Sequence, residues 1–214
     1  MQFKYLPSFV KRRGRITKHQ ESNVKQLSAY EVKDGEDFTA LSKEFSKVFI
    51  EIGFGDGENI ISMALNNPDS LFIGSEVYLS GIGSLIGKIL EKDIQNIRIH
   101  NGDVRELLDG IKIPVLDGIL IICPDPWPKV RHHKRRLIKK EFLELVASKL
   151  KKKSSLYIAT DWEDYAENID EAVANTDKLL VSRSKLFSNL PITRFQARAI
   201  KEGRKIHKFN LYKA

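Results

Sequence analysis

The chain has 214 residues, 42% of them hydrophobic, enough for one full-sized core and a small appendage. Its 36 basic residues against 28 acidic ones leave a formal net charge of +8, the balance of a soluble domain with a polyanionic partner, nucleic acid or an anionic membrane surface. The one cysteine, Cys123, excludes an intrachain disulfide framework and a multi-cysteine zinc site and fits a reducing compartment. No apolar run approaches the roughly 18 residues that span a bilayer, and MQFKYLPSFVKRRGR lacks the apolar stretch of a secretory signal. A cytoplasmic protein that does not engage a membrane is therefore expected.

In chain order, residues 1–35 are polar and basic, with Lys11, Arg12, Arg13, Arg15 and Lys18 clustered and only Glu21 close by to oppose them. Their apolar residues are scattered, so this stretch is expected to be a basic arm lying on a domain of residues 36–214. Trimming the residues before Val24 is expected to weaken RNA binding and spare the small-molecule pocket. From Lys47 the texture changes. VFIEIG is a short apolar run ending in glycine, a buried strand. A helix follows over Asn59–Asn66, then a strand at LFIGSE and a helix over Leu79–Leu90. NIRIHNGD predicts a third strand, with a short helix around Arg105–Leu108, and DGILIICPDP a fourth that runs into a proline-rich loop. An amphipathic helix is predicted over Leu137–Leu150, with Leu137, Phe142, Leu145, Val146 and Leu150 on one side. SSLYIATD predicts a fifth strand and Trp162–Asn175 another helix. The tail from Leu179 reads as one or two strands with a loop between them; IHKFNLY alternates as a terminal antiparallel strand at or near an edge.

Strands alternating with helices over short connections indicate an α/β domain with a largely parallel sheet, in which ligands bind beyond the carboxyl ends of the strands. Polar residues collect there: Glu51, Glu76, Asp103, Asp125 and Asp161. In the segment Glu51-Ile52-Gly53-Phe54-Gly55-Asp56-Gly57 the glycines alternate, which lets the backbone turn sharply and approach a ligand closely. The spacing differs from GxGxxG, and Glu51 would meet a dinucleotide pyrophosphate with like charge. A carboxylate there suits a cationic ligand such as S-adenosylmethionine, which carries a sulfonium and an ammonium. Glu76, at the end of the second strand, is placed to accept hydrogen bonds from two ribose hydroxyls. Asp103 has two readings that are compatible: a neighbour of the adenine, or a helix N-cap in a box with Glu106.

In Cys123-Pro124-Asp125-Pro126-Trp127-Pro128-Lys129 three prolines leave few conformations, so Asp125 is held at little entropic cost; Trp127 is expected to pack under the loop. From Lys129 to Lys140 there are seven basic residues, two histidines and no acid. Such a run is ordinarily a solvated helix face, but its place beside a fixed acidic loop points to phosphate contacts. His132 and His133 have no matching ligand set, so no metal is expected.

Together, SFVKRRGRIT, IEIGFGDG, GSEVY, NGDVREL, PDPWPKVRHHKRRL, ATDWEDYAE and TRFQARAIKEGRKI resemble the tRNA (guanine-N7-)-methyltransferase family of bacterial type. The resemblance implies a Rossmann-like class I S-adenosylmethionine-dependent fold, a mostly parallel seven-stranded sheet with helices on both faces. It implies that Glu51, Gly53, Gly55, Gly57, Glu76, Asp103 and Asp125 hold S-adenosylmethionine. Lys129, Asp161, Thr193, Arg194, Phe195 and Gln196 would take the substrate, a guanosine in the variable loop of tRNA. Asp125 is the residue expected closest to the chemistry, and Arg131, His133, Lys134, Arg135 and Arg136 are expected on RNA phosphates. A monomer or homodimer is expected. The alternative is a non-catalytic RNA-binding module of the same fold. The family pattern T-x-F-E-x-R-G is broken here by Gln196 and Ala199, and Ser75 stands where an apolar residue is common.

Overall fold

The run after Lys47 becomes a central strand because it is buried on both sides. In the computed structural model, which describes residues 4–10, 15–32, 38–182, 187 and 189–214, Val48, Ile50 and Ile52 face one helical layer and Phe49 the other. The elements are α1 (Lys18–Val24), α2 (Phe38–Glu44), β1 (Lys47–Ile52), α3 (Glu58–Asn66), β2 (Ser70–Glu76), α4 (Leu79–Lys92), β3 (Ile97–Asn101) and α5 (Val104–Gly110). They continue as β4 (Leu116–Ile122), a 3-10 turn over Val130–Arg135, α6 (Lys140–Lys149), β5 (Leu150–Thr160), α7 (Glu163–Ala174), β6 (Leu179–Val181), α8 (Arg194–Lys201) and β7 (His207–Lys213). The sheet has seven strands in the order β3-β2-β1-β4-β5-β7-β6. The first five are parallel, and β7 runs antiparallel to both β5 and β6. The strand order reverses between β1 and β4, so a crevice opens beyond their carboxyl ends.

Period-two alternation divides the core. Ile119 and Ile121 join the layer of α5, α6 and α7; Leu120 and Ile122 join that of α3 and α4. Residues 18–32 pack into this domain. Thr17 and Gln20 form a capping box that starts α1. Asn23 donates to Gly83 O at 3.0 Å, and Gln20 donates to Ser84 at 2.9 Å. A Cβ on Gly83 would sit 2.4 Å from Gln20 O, so only glycine lets α1 and α4 approach this closely. Glu31 then bridges Ile99 of the outer strand β3.

Helices α1 and α2 have no counterpart in the sequence reading, and two further segments differ from it. The helix predicted from Leu137 starts at Lys140, because the residues before it are held extended: Arg136 is tied to α7, and Ile138 N donates to the buried Tyr165 hydroxyl at 3.0 Å. In the tail, α8 stands where only a loop was expected. Its signal is Thr193-x-x-Gln196, a reciprocal box in which Thr193 Oγ1 accepts from Gln196 N at 3.3 Å and Gln196 Oε1 accepts from Thr193 N at 3.0 Å.

Candidate active site

The crevice holds a cavity of about 260 Å³ built from four strand ends and two later segments. β1 supplies Ile52, Gly53 and Gly55; β2 supplies Ser75 and Glu76; the turn after β3 supplies Gly102 and Asp103; β4 leads into Ile122, Cys123, Pro124 and Asp125. Arg194 and Phe195 of α8 close one side. Gly53, Gly55 and Gly57 have φ of 71°, 56° and 79°, the left-handed region that favours glycine, so the loop requires all three. Gly57 lies outside the cavity lining and starts α3.

Glu76 is buried and accepts from Gly55 N at 3.0 Å, Val77 N at 2.7 Å and Tyr78 N at 3.1 Å. Burial pushes its carboxyl above the usual range, and the three backbone donors oppose that. Three of its roughly four acceptor positions are filled, so it ties the glycine loop to β2 and keeps room for about one further donor rather than two. Glu51 lies behind the loop on a small separate cavity with Gly53, Asp56, Glu58 and Thr193. Burial pushes its carboxyl up to about 8; Asn59 donates to Oε1 at 3.4 Å, and Oε2 is buried with no partner. An orphaned buried carboxylate oxygen is costly unless a donor or a cation meets it, which fits the donor set of a cationic ligand.

Asp103 caps α5 through Arg105 N at 3.0 Å and pairs with Arg105 Nη2 at 2.5 Å, while also lining the cavity. Its cap bond goes to Arg105 rather than Glu106. Asp125 is exposed to the cavity, and partial desolvation raises its carboxyl pKa. The loop carrying it is bracketed by two non-glycine residues in the left-handed region, Cys123 at φ 50° and Trp127 at φ 49°. Each costs about 1–3 kcal/mol, which the surroundings must offset. Trp127 is buried, donates from Nε1 to Ser8 O at 2.8 Å and lies under Arg135 at 5.1 Å. Burial, then the nearby Asp161 carboxylate, push the Cys123 thiol up to about 12, so it stays protonated. Asp161 does not line the cavity; it pairs with Arg204 at 3.2 Å beside it.

The substrate-side expectations separate. Lys129, Arg131 and Lys134 are exposed, as phosphate contacts require, and Arg135 is half-buried on Trp127. His133 is half-buried, with Nε2 3.5 Å from Asp164. Arg136 corrects its expectation: its side chain is 2% exposed and paired with Asp164 at 2.8 Å, out of reach of a phosphate. Arg194 pairs with Asp56 at 2.8 Å, and its amide donates to Glu58. Phe195 is exposed over the loop, whereas Gln196 is buried as the partner of the α8 cap. A capping box accepts Gln or Glu alike, so the change from the usual acid keeps this geometry.

Sequence reasoning missed the cavity wall made by the arm. Ser8 and Phe9 line the cavity, and Tyr78 and Leu137 line it too. Residues 4–10 are fixed across α5 and the PDPW loop: Tyr5 donates to Asp109 at 2.7 Å, Arg105 to Leu6 O at 2.9 Å, and Tyr78 to Val10 O at 2.9 Å. The arm thus forms part of the cavity wall, which argues against the expectation that trimming it spares the pocket. Arg15 and Lys18 are exposed, and Lys11, Arg12 and Arg13 lie outside the described residues. Among the described residues, none group as a metal site, and no helix is long and apolar enough to cross a membrane.

A family described as "Putative methyltransferase" matches residues 46–209. A tRNA (guanine-N(7)-)-methyltransferase of Nitrosococcus oceani is 37% identical over 212 residues, covering 92% of this chain and 86% of that protein. One of Wolbachia pipientis is 36% identical over 208 residues, covering 97% and 92%. The fold resembles that of the 16S rRNA methyltransferase KamB, with a TM-score of 0.62 at 16% identity over 86% of this chain and 95% of that one. It also resembles a 16S rRNA (adenine(1408)-N(1))-methyltransferase from Catenulisporales acidiphilia, solved with cosubstrate SAM, with a TM-score of 0.59 at 13% identity over 86% and 92%.

Proposed function

The chain belongs to the tRNA (guanine-N7-)-methyltransferase family, and from that membership and the geometry of the site we propose that it methylates N7 of a guanosine in the variable loop of tRNA in the cytoplasm, acting as a monomer or homodimer. The observation that carries this reading is one juxtaposition. The orphaned Glu51 carboxylate lies behind the glycine loop, and Asp125 stands at the other side of the cavity, directly before the exposed cations Lys129, Arg131 and Lys134.

S-adenosylmethionine supplies a methyl group already activated on a sulfonium. The glycine loop, Glu76, Asp103 and Asp125 would hold it along the cavity, and Glu51 would act on its positive charge from behind the loop. Guanine N7 has a free lone pair, so none of these residues needs to remove a proton. Their work is alignment at near-attack distance and stabilisation of charge. Positive charge moves onto the purine as the bond forms, which a carboxylate at Asp125 favours. Asp161, oriented by Arg204, is the candidate acceptor for the guanine N1–H and N2–H₂ edge, which adenine does not present. Lys129, Arg131 and Lys134 hold phosphates, and the target base is drawn out of its tertiary pairing into the crevice.

Incubating unmodified tRNA with methyl-labelled S-adenosylmethionine, then analysing nucleosides, tests this reading. Label is expected in 7-methylguanosine alone. Label in another nucleoside contradicts the assignment, and tRNA binding with no label at all identifies a non-catalytic RNA-binding module.

A further inference from the structure

Arg136 sits inside the most basic segment of the chain, yet each of its nitrogens is turned inward. Nε donates to Pro126 O at 2.9 Å, and Nη2 donates to both Asp164 oxygens at 2.8 Å. Nη1 donates to Asp164 O at 3.4 Å and to Asn168 Oδ1, and the guanidinium lies 4.9 Å over the Tyr165 ring. The two Asp164 carboxylate oxygens share one N–H of Nη2, so four of the five N–H groups of the guanidinium are engaged, and a side chain only 2% exposed is out of reach of a phosphate.

We propose that Arg136 is a positioning residue for methyl transfer: it clamps the PDPW loop to α7 and so fixes where the Asp125 carboxylate stands. The inference rests on the reading that Asp125 acts at the reacting base. Pro126 follows Asp125 directly, and its carbonyl is the loop's contact with the clamp. The loop resists relaxation only if it is held, because Cys123 and Trp127 at its ends sit in backbone conformations that L-residues disfavour. Asp164 and Asn168 lie one turn apart on α7, so a single planar fork grips one helix face and one loop carbonyl. That helix begins just after Asp161. The clamp therefore sets the position of Asp125 relative to Asp161, the second carboxylate of the proposed base site. A lysine, with a single compact charge, cannot reproduce this fork.

The test compares R136M and R136K with R131A and D125N under single turnover. R136M and R136K are expected to slow methyl transfer about 100-fold, the scale of a misplacement near one ångström. Affinity for tRNA should stay within about twofold, and the salt dependence of tRNA binding should be unchanged. R131A, at a residue proposed to hold a phosphate, is the binding-side comparison and is expected to reduce that salt slope by about 1. If Arg136 acts through Asp125, adding R136M to D125N slows transfer little beyond D125N alone. A lowered salt slope with a normal rate in R136M, or losses that simply multiply in the double variant, overturns the proposal. D125N turning over at the wild-type rate instead defeats the Asp125 reading, and the clamp with it. Should R136M not fold, D164N weakens the same fork from its other end. A roughly 10-fold slower rate with an unchanged melting temperature supports the clamp; an unchanged rate overturns it.

Discussion

The glycine-loop side of the crevice and the basic segment after the PDPW loop look equally single-minded as sequences, one acidic and one cationic. In the fold they differ. Around the glycine loop, Glu51 and Glu76 are both buried; Asn59 donates to Glu51, and three backbone amides donate to Glu76. In the segment from Lys129 to Lys140 the like charges divide. Lys129, Arg131 and Lys134 face solvent, Arg135 covers Trp127, and Arg136 is consumed by Asp164, Asn168 and Pro126. A charge run therefore states how many cations a surface has available, not how many reach a ligand; burial and donor geometry decide that.

The largest effect that would break this comparison is at Asp125. D125N is expected to slow single-turnover methyl transfer about 100- to 1000-fold with little change in tRNA affinity; a loss confined to tRNA affinity would move Asp125 to the binding side. Next is the arm. Deleting residues 1–10 removes Ser8 and Phe9 from the cavity wall and the partner of Trp127, so S-adenosylmethionine affinity measured by calorimetry is expected to fall about 10-fold. Unchanged affinity would show that the wall is not used.

Glu51 sharpens the comparison through pH. Burial raises its carboxyl to about 8 from the ordinary 4.5 in the unliganded protein, so it is mostly protonated at neutral pH. A cationic ligand favours the ionised form and lowers that value. Binding then releases a proton, and affinity is expected to rise with pH up to about 8 and level off above it. E51Q should abolish the rise. The folding linkage has the opposite sense: a raised acid pKa contributes stability that is full at low pH and is lost as pH climbs from about 4.5 toward 8. E51Q should flatten that decline in a thermal-melt series.

On the basic side, K129A is expected to lower the salt slope of tRNA binding by about 1 and leave the saturated transfer rate unchanged. A rate loss matching that of D125N would erase the proposed division between the two regions. The smallest effect is Q196E. The capping box accepts either side chain, so the melting temperature should stay or rise slightly with an acid at the start of α8, and activity should be preserved.

The parallel part of the sheet was legible because buried strands write apolar runs and turn signals locally, as in Val48–Ile52 and Leu71–Ile73. The acids lining the crevice were legible for the same reason, since they follow those runs. The start of α6 was not, because Leu137 has the right spacing for the helix while contacts with α7, distant in sequence, hold the backbone extended. α8 was legible and overlooked; its Thr193–Gln196 box is the signal. The role of Arg136 was beyond sequence reasoning, because its partners Asp164 and Asn168 lie a helix and a strand away. Ser8 and Phe9 carry no local mark at all, and their place depends on the Trp127–Ser8 bond.

The most direct measurement follows label from methyl-labelled S-adenosylmethionine into two tRNAs. One has guanosine at the variable-loop position and the other has 7-deazaguanosine there, in which carbon replaces the accepting nitrogen. The account predicts stoichiometric 7-methylguanosine in the first and none at that position in the second, with both tRNAs bound equally well. Equal labelling of the two would contradict it.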